Sequence, residues 1–377
     1  MKKALVVASV ASMIDQFNIP NILLLQRLGY KVDVATNFTE SGSITAERSA
    51  ALVKRLEAMG VGTVNVPIPR SLTAVGAILK SYRMIKDLCR ENKYEIMHCH
   101  SPIGGAIARF ATRGSRKKNG TMTVYTAHGL HFYKGAPIKN KILFYPVEKV
   151  CARFTDVLIT INGEDYELAK RKLRAGRVEY VPGVGIDTEA FAASSVDVSE
   201  KRREIGVPEG ARLLLSVGEI NANKNHRTVL EAVKRLGDES IHYAIAGKGA
   251  LMDELKALAD ELGIGHRVHL LGYREDVREL YHASDVFVHP SYREGLPVSV
   301  MEAMASGLPV VASRIRGNVD LVKEGGGILV SPTDTDGFVE AIRAALTDGS
   351  DMGRYNKNAI KDFSFDVVEK RLEEIYR

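Results

Sequence analysis

Two glutamates, Glu294 and Glu302, lie eight residues apart around a Gly-Leu-Pro segment. The apolar residues 285–290 before them predict a buried strand, and residues 300–305 are good helix formers. Pro297 fits the first turn of this helix, since the N–H that proline lacks would have no partner there. A helix N-terminus favours an anion, so two flanking carboxylates suit a hydroxyl-rich phosphorylated molecule such as a nucleotide sugar. The alternative is an exposed loop glutamate and a solvated helix glutamate.

Three other segments place glycines or polar side chains directly after a predicted strand. They are Ser216-Val217-Gly218-Glu219 with Asn223-Lys224-Asn225-His226, Ala246-Gly247-Lys248-Gly249, and Leu271-Gly272-Tyr273-Arg274. Lys224 can reach a diphosphate as a point charge, and Gly247 and Gly249 allow close approach of a ligand. The turn at Tyr273 can contact a base through its backbone. An ordinary loop lysine and ordinary β-to-α turns are the alternatives.

Histidines follow two strands in the first half of the chain. His128 can donate to a leaving phosphate or a sugar hydroxyl, and a packed or capping histidine is the alternative. His98, Cys99 and His100 resemble a metal cluster. Alternation along a strand turns Cys99 away from both histidines, so we expect no metal there. Asp334 precedes a helical segment, which favours a helix N-cap over a metal ligand.

Short apolar segments alternate with helix-length segments almost throughout the chain. The predicted strands are residues 4–10, 31–35, 63–66, 96–99, 121–126, 157–160, 178–181, 212–217, 242–246, 268–271, 286–289, 310–312 and 327–330. This alternation predicts an α/β protein with two doubly wound Rossmann-like domains that face across a deep cleft, with ligands at the carboxyl ends of the strands. We expect these domains at 1–185 and 186–360, and a last helix at 361–377 that packs back across the domain junction.

Composition narrows the class of protein. The 377 residues are 45% hydrophobic and 26% charged, which is ordinary for a globular protein that is not membrane-spanning. Three cysteines form no disulfide framework, which fits a reducing cytosol. The basic and apolar residues 2–11 imitate a signal peptide. The strand–helix–strand rhythm that follows favours a first buried strand.

Charge is distributed unevenly along the chain. Residues 1–185 carry 28 Lys and Arg against 14 Asp and Glu, and the remaining residues carry 24 against 32. Lys80, Arg83, Lys86 and Arg90 lie at helical spacing beside apolar residues, which suits an anionic membrane surface. Nucleic acid is the rival partner, and we expect none because no nucleic-acid-binding module is recognised. Solvated helix faces are the further alternative.

In combination and in this order, these segments resemble the family 4 glycosyltransferases of the GT-B fold, over nearly the whole chain. The resemblance implies a retaining, metal-independent transfer of a sugar from a nucleotide diphosphate, without a cofactor. It implies that Glu302 holds the ribose hydroxyls and that Glu294 holds the donor sugar. Lys224 would neutralise the leaving diphosphate, and His128 would line the sugar from the opposite domain. The donor-binding residues it implies are Gly218, Glu219, Asn223, Gly247, Gly249, Tyr273, Arg274, Gly295, Leu296, Pro297, Val298 and Glu302.

The chain departs from the family pattern at two places. Glu219 stands where members often carry an arginine, so Asn221 or Asn223 would have to donate to the phosphate instead. The N-terminal glycine-rich turn is replaced by residues 10–17, which resemble a bacterial subgroup that builds capsular or exopolysaccharide chains on polyprenyl diphosphate. In that subgroup the acceptor would meet residues such as Asp15, Gln16 and His100, although a helix N-cap is an equal interpretation of Asp15.

The sequence therefore predicts a UDP-sugar-dependent glycosyltransferase that acts on a lipid-linked glycan. It would be cytoplasmic and peripherally bound to the inner face of the cell membrane through its basic N-terminal domain. A GT-B UDP-sugar epimerase and a non-catalytic nucleotide-sugar-binding module are the alternatives. A nicotinamide oxidoreductase would need a cofactor fingerprint after the first strand, and residues 9–16 lack it.

Overall fold

The computed structural model describes residues 2–377, which form two compact units. Unit 1 ends at Val184 and also includes Val368–Arg377, and unit 2 is Gly185–Val367. Each unit contains one parallel sheet with helices on both faces, so each is a doubly wound α/β domain. The final segment of the chain thus completes the unit with which the chain begins.

Unit 1 has a seven-stranded sheet. Its strands are β1 (Lys2–Val10), β2 (Tyr30–Asn37), β3 (Gly62–Asn65), β4 (Ile96–His100), β5 (Met122–Ala127), β6 (Val157–Thr160) and β7 (Arg177–Tyr180). Its helices are α1 (Ala11–Phe17), α2 (Ile19–Arg27), α3 (Ala46–Ala58), α4 (Val75–Asn92), α5 (Pro102–Asn119), α6 (Ile138–Cys151) and α7 (Gly163–Lys172), with a 3-10 turn at Ala152–Phe154. The strand order is β3-β2-β1-β4-β5-β6-β7.

Unit 2 has a six-stranded sheet. Its strands are β8 (Arg212–Val217), β9 (Ile241–Ala246), β10 (Val268–Gly272), β11 (Val286–His289), β12 (Val310–Ser313) and β13 (Gly327–Val330). Its helices are α8 (Thr188–Ala192), α9 (Val198–Glu204), α10 (His226–Leu236), α11 (Met252–Glu261), α12 (Val277–His282), α13 (Val298–Ser306), α14 (Asn318–Leu321) and α15 (Thr335–Ala359). Turns of 3-10 helix occupy Gly265–Arg267 and Ile360–Phe363. Helix α16 (Phe365–Tyr376) begins in unit 2 and belongs to unit 1 from Val368 onward. The strand order is β10-β9-β8-β11-β12-β13.

The apolar run of β1 shows why the strands form. Val6 and Ala8 belong to a core cluster on one face of the sheet, and Leu5 and Val7 belong to a second cluster on the other face. Because both faces are covered, residues 4–8 of the strand are all apolar instead of alternating with polar residues. All thirteen predicted strands are present, and their bounds differ from the prediction by at most two residues.

Asp334 caps α15 as predicted, because its Oδ1 accepts a hydrogen bond from the amide of Gly337 at 2.9 Å. Within residues 2–377, no helix is both long and apolar enough to cross a membrane.

Candidate active site

The loops after β8 and β11 meet at an ion pair. Nζ of Lys224 lies 2.9 Å from Oε1 of Glu294, and Nε2 of the buried His289 lies 3.3 Å from the same oxygen. Burial alone would raise the pKa of Glu294. The hydrogen bond from His289 and the charge of Lys224 outweigh it, and they hold the pKa well below its usual value. Glu294 is therefore an ionised acceptor at neutral pH.

Hydrogen bonds to backbone carbonyls hold the same two loops together. The Asn223 side chain donates to the carbonyl of Arg293 at 2.9 Å, and the Tyr292 amide donates to the carbonyl of Asn223 at 2.8 Å. Asn225 is buried with a φ of 54°, and its side chain donates to the carbonyls of Pro290 and Pro332. The position of Lys224 relative to Glu294 is thus fixed by its neighbours.

Glu302 lies in the second turn of α13, half-buried. Its Oε2 accepts a hydrogen bond from the Tyr281 hydroxyl at 2.8 Å. Burial raises the pKa of Glu302 to about 7, and the hydrogen bond from Tyr281 opposes that rise only in part. Pro297 is the N-cap of α13, and the helix begins at Val298. The prediction of proline inside the first turn was therefore wrong by one residue.

The glycines after β9 allow two backbones to approach closely. A Cβ added at Gly247 would lie 1.8 Å from the carbonyl oxygen of Gly218, and one added at Gly249 would lie 2.0 Å from that of Ile220. The amide of Ile220 donates to the carbonyl of Lys248 at 2.9 Å. The structure thus gives these glycines a role in packing the loop after β8, where the sequence suggested close approach of a ligand.

Other predicted donor-binding residues have different surroundings. Leu296 is buried, Gly295 and Val298 are half-buried, and Glu219 and Tyr273 are exposed. Arg274 forms ion pairs with Asp276 and with Glu204, so carboxylates of unit 2 already engage its guanidinium. Arg274 therefore does not join the Lys224–Glu294 group.

Arg316 is a site residue that the sequence analysis missed. Its Nε donates to the carbonyl of Glu294 at 3.0 Å, and it is buried. A Cβ added at the next residue, Gly317, would lie 2.4 Å from the carbonyl oxygen of Gly295. The loop after β12 therefore packs against the backbone of Glu294 and Gly295 and helps to fix its position. The sequence did contain a signal for Arg316, because it is a polar residue in the loop after a strand, as Lys224 is.

His100, which was predicted to meet the acceptor, belongs to a histidine cluster in unit 1 that also contains His98 and His128. Nδ1 of His100 lies 3.1 Å from Nε2 of His128, and the rings of His98 and His100 lie 4.2 Å apart. Nδ1 of His98 lies 2.6 Å from the Tyr376 hydroxyl. Cys99 belongs to the core cluster on the other face of the sheet, as alternation predicts. Burial lowers the pKa of His98 to about 3 and that of His128 to about 4, so both are neutral at pH 7.

Asp15 and Gln16 lie within α1, so the N-cap interpretation of Asp15 was wrong. Oδ2 of Asp15 accepts a hydrogen bond from Nε of Arg48 at 2.7 Å, and Nε2 of Gln16 lies 3.4 Å from Oγ of Ser43. These two residues are not among the hydrogen-bonded members of the histidine cluster. In the described part of the chain, residues 2–377, no group of three or more His, Cys, Asp or Glu is arranged to hold a metal ion.

Two family profiles match the chain. Residues 197–362 match the family described as "Glycosyl transferases group 1", and residues 23–183 match the family described as "Glycosyl transferase 4-like domain". The first match covers the Lys224–Glu294 pair and Glu302, and the second covers the histidine cluster except Tyr376. The first match contains all six strands of unit 2, and the second contains β2 to β7 of unit 1 but not β1.

Named relatives extend the similarity to most of the chain. The glycosyltransferase EpsD of Bacillus subtilis (strain 168) is 36% identical over 346 residues, which cover 90% of this chain and 86% of the relative. The Escherichia coli "UDP-Gal:alpha-D-GlcNAc-diphosphoundecaprenol alpha-1,3-galactosyltransferase" is 31% identical over 79% of this chain and 78% of its own length.

A solved structure shares the fold at low sequence identity. The crystal structure of Anabaena HepE in complex with UDP superposes with a TM-score of 0.78 at 18% identity, over 100% of this chain and 99% of that one. The parallel sheets of both units have the GT-B architecture. The chain therefore belongs to the glycosyltransferases of the group 1 and 4-like type, and it is an enzyme with the GT-B fold.

Proposed function

We propose that the chain transfers a sugar from a UDP-sugar, with retention of anomeric configuration, to a glycan carried on a polyprenyl diphosphate lipid. The observation that carries the proposal is the grouping of Lys224 with Glu294 on two fastened strand-end loops of unit 2. A cation beside an ionised acceptor suits a ligand with both a diphosphate and sugar hydroxyls.

The donor roles follow from the charges of these groups. Lys224 neutralises the diphosphate as it leaves, which is the electrostatic contribution that usually dominates such catalysis. Glu294 accepts hydrogen bonds from the donor sugar, and Glu302 accepts them from the ribose. Because Lys224 supplies the positive charge at the phosphates, we expect transfer to persist in the presence of EDTA.

The reaction exchanges one carbon–oxygen bond for another. The bond between the anomeric carbon and the diphosphate breaks, and an acceptor hydroxyl forms the new bond at that carbon. The acceptor proton leaves with the UDP. The contact of His128 with the donor sugar stays a prediction. The contacts of Asp15, Gln16 and His100 with the acceptor also stay predictions.

The named E. coli relative supports the choice of donor and acceptor. Its name specifies UDP-Gal as the donor and a GlcNAc-diphosphoundecaprenol as the acceptor. For this chain we propose the same two chemical classes and leave the individual sugars open. Such an acceptor would bring the enzyme to the inner face of the cell membrane as a peripheral protein.

A donor and acceptor panel tests the proposal. Purified protein is incubated with UDP- and GDP-sugars and with a synthetic short-chain lipid diphosphate sugar, and the product is analysed by mass spectrometry and by NMR of the new anomeric centre. We expect transfer from one or more UDP-sugars, with the donor's anomeric configuration retained. A strict GDP preference, or an inverted product, would contradict the proposal.

One variant and a matched control test the role of Glu294 in turnover. Glu294→Gln should lower turnover at least about 100-fold. Glu254→Gln, which changes an exposed glutamate of α11, is the matched control and should leave turnover unchanged. Unchanged turnover in Glu294→Gln would remove Glu294 from the mechanism.

A further inference from the structure

Helices α4, α5 and α6 of unit 1 enclose an apolar groove of about 420 Å³. Leu79 of α4, Ile103 and Phe110 of α5, and Leu143 and Val147 of α6 contribute to its walls. Its volume lies within the usual range of pockets for small ligands, ~300–1,000 Å³. None of the site residues described above lines this groove.

Helix α6 also presents aliphatic side chains to solvent. Ile138 is 75% exposed, Ile142 is 71% exposed and Leu143 is 49% exposed, and Val147 and Val150 are exposed as well. Ile138 and Ile142 are four residues apart, so they lie on one face of the helix. A continuous exposed apolar patch of this kind indicates a surface that contacts another apolar phase.

The three helices that line the groove carry more basic than acidic residues. Helix α4 carries four Lys and Arg against two acids, α5 carries five against none, and α6 carries three against one. On α6 the exposed lysines Lys139, Lys141 and Lys149 alternate with the aliphatic residues.

The single acid of α6 adds no negative charge to this surface. Glu148 is buried, and its two carboxylate oxygens accept hydrogen bonds from Arg109 at 2.9 and 3.0 Å. It also accepts one from the hydroxyl of Tyr125. The guanidinium neutralises the carboxylate inside unit 1, so the exposed face of α6 is purely cationic and apolar.

We propose that α6 and the adjoining groove form a membrane-contact site for a bilayer rich in anionic lipids. The aliphatic side chains of α6 enter the interface, its lysines contact the headgroups, and the groove receives a lipid hydrocarbon chain. The cores of protein–protein interfaces are depleted of lysine, so the interleaved lysines favour a membrane over a protein partner. The inference rests on the proposed function, because a lipid-linked acceptor presents its sugar at a membrane.

Vesicle flotation tests the site without any acceptor. We expect the protein to float with vesicles of phosphatidylcholine and phosphatidylglycerol, to bind pure phosphatidylcholine at least 10-fold more weakly, and to dissociate as salt is raised. Replacing Ile142 and Leu143 by Glu should lower binding at least 10-fold. Val198→Glu, at an aliphatic residue of unit 2 that is 39% exposed, should not. A thermal melt of each variant checks that unit 1 stays folded.

The sequence has no tryptophan, so a single introduced indole reports its own environment. Ile142→Trp and Leu79→Trp should each shift their emission to the blue with anionic vesicles and be quenched by brominated lipid chains. Val198→Trp should do neither. Binding without these changes would place the membrane contact elsewhere and overturn the inference, as would binding only to vesicles that contain membrane proteins.

Measuring sugar transfer beside vesicle binding distinguishes a failure of the membrane site from a failure of the proposed function. With a short-chain, water-soluble acceptor, the Ile142→Glu, Leu143→Glu double variant should keep the wild-type rate. If wild-type protein binds vesicles but transfers no sugar, the proposed function fails and the membrane site stands. If it transfers sugar but never binds vesicles, the membrane site fails alone.

Discussion

Nζ of Lys224 lies 2.9 Å from Oε1 of Glu294, which joins the loop after β8 to the loop after β11. The two residues are 70 positions apart in sequence, and each is placed by hydrogen bonds that its neighbours make to the other loop. A ligand that meets one of these groups therefore also meets the other.

Lys224→Ala should lower kcat about 100-fold or more, because the charge that neutralises the leaving diphosphate is removed. It should also raise the pKa of Glu294, since the cation that helps to hold it ionised is gone. The acid limb of the rate profile should then move to higher pH. Lys234→Ala, an exposed lysine of α10, is the control. If the acid limb of Lys224→Ala lay at the same pH as that of wild type, the electrostatic role of Lys224 would be contradicted.

Glu302→Gln should change stability in a pH-dependent way. Burial raises the pKa of Glu302 to about 7, so the folded protein holds a proton that the unfolded chain releases near its ordinary pKa. The stability contributed by this bound proton is fully present below the pKa of Glu302 in the unfolded chain. It is lost as pH rises through about 7, the pKa in the folded protein. Relative to wild type, the variant should gain on the order of 2 kcal/mol in its free energy of unfolding between pH 5 and pH 8. Urea denaturation of both proteins at the two pH values measures this gain. If the free energies of unfolding of variant and wild type differed by the same amount at both pH values, the raised pKa of Glu302 would be contradicted.

The affinity for UDP should also depend on pH through the ionisation of Glu302. An ionised Glu302 accepts hydrogen bonds from two hydroxyls better than a protonated one, so the affinity of wild-type protein for UDP should increase from pH 6 to pH 8. Glu302→Gln should bind UDP about 10-fold more weakly at pH 8 and show little pH dependence, as measured by calorimetry. An affinity of wild-type protein that falls over this range would exclude the role on ribose.

His100 should determine which nitrogen of His128 carries the proton. Within residues 2–377, Nε2 of His100 is buried without a hydrogen-bond partner. A buried acceptor without a partner costs less than a buried donor, so Nδ1–H of His100 should donate to Nε2 of His128. Nitrogen-15 NMR should then show His128 protonated on Nδ1, and His100→Phe should abolish that preference. Observing Nε2–H on His128 in wild-type protein would contradict this arrangement.

Gly247→Ala should destabilise unit 2 by about 3 kcal/mol, because its Cβ would meet the carbonyl of Gly218 and force the loop after β8 to move. Gly114→Ala is the matched control, since a Cβ there meets no atom within 4 Å. That exposed position in α5 should gain about 0.5–1 kcal/mol from higher helix propensity. Chemical denaturation gives the free energy of unfolding of both variants. An equal change in Gly247→Ala and Gly114→Ala would contradict the packing role of Gly247.

The strands and the site loops were predictable because their causes are local. A strand segment buried on both faces is apolar without alternation, as residues 4–8 of β1 are. Polar residues directly after such strands must lie at the same edge of a parallel sheet. That reasoning predicted that Lys224 and Glu294 lie at one edge of the sheet, and the two side chains form an ion pair there. Their spacing alone could not give the distances between them.

Buried polar partners distant in sequence were not predictable. Tyr281 and Glu302 are hydrogen-bonded 21 positions apart, and His98 and Tyr376 are hydrogen-bonded 278 positions apart. Neither pair leaves a periodic pattern, because a tyrosine in a helix reads as an ordinary core residue until the tertiary fold brings a polar group to its hydroxyl.

The place of Val368–Arg377 in unit 1 has a consequence for biosynthesis. Val368, Leu372, Ile375 and Tyr376 belong to the same core cluster as β1 and β2. During translation residues 2–184 emerge before unit 2, yet they cannot fill that core until residues 368–377 have left the ribosome. Unit 2, which is continuous in sequence, can finish folding earlier, so the first unit made is the last one completed.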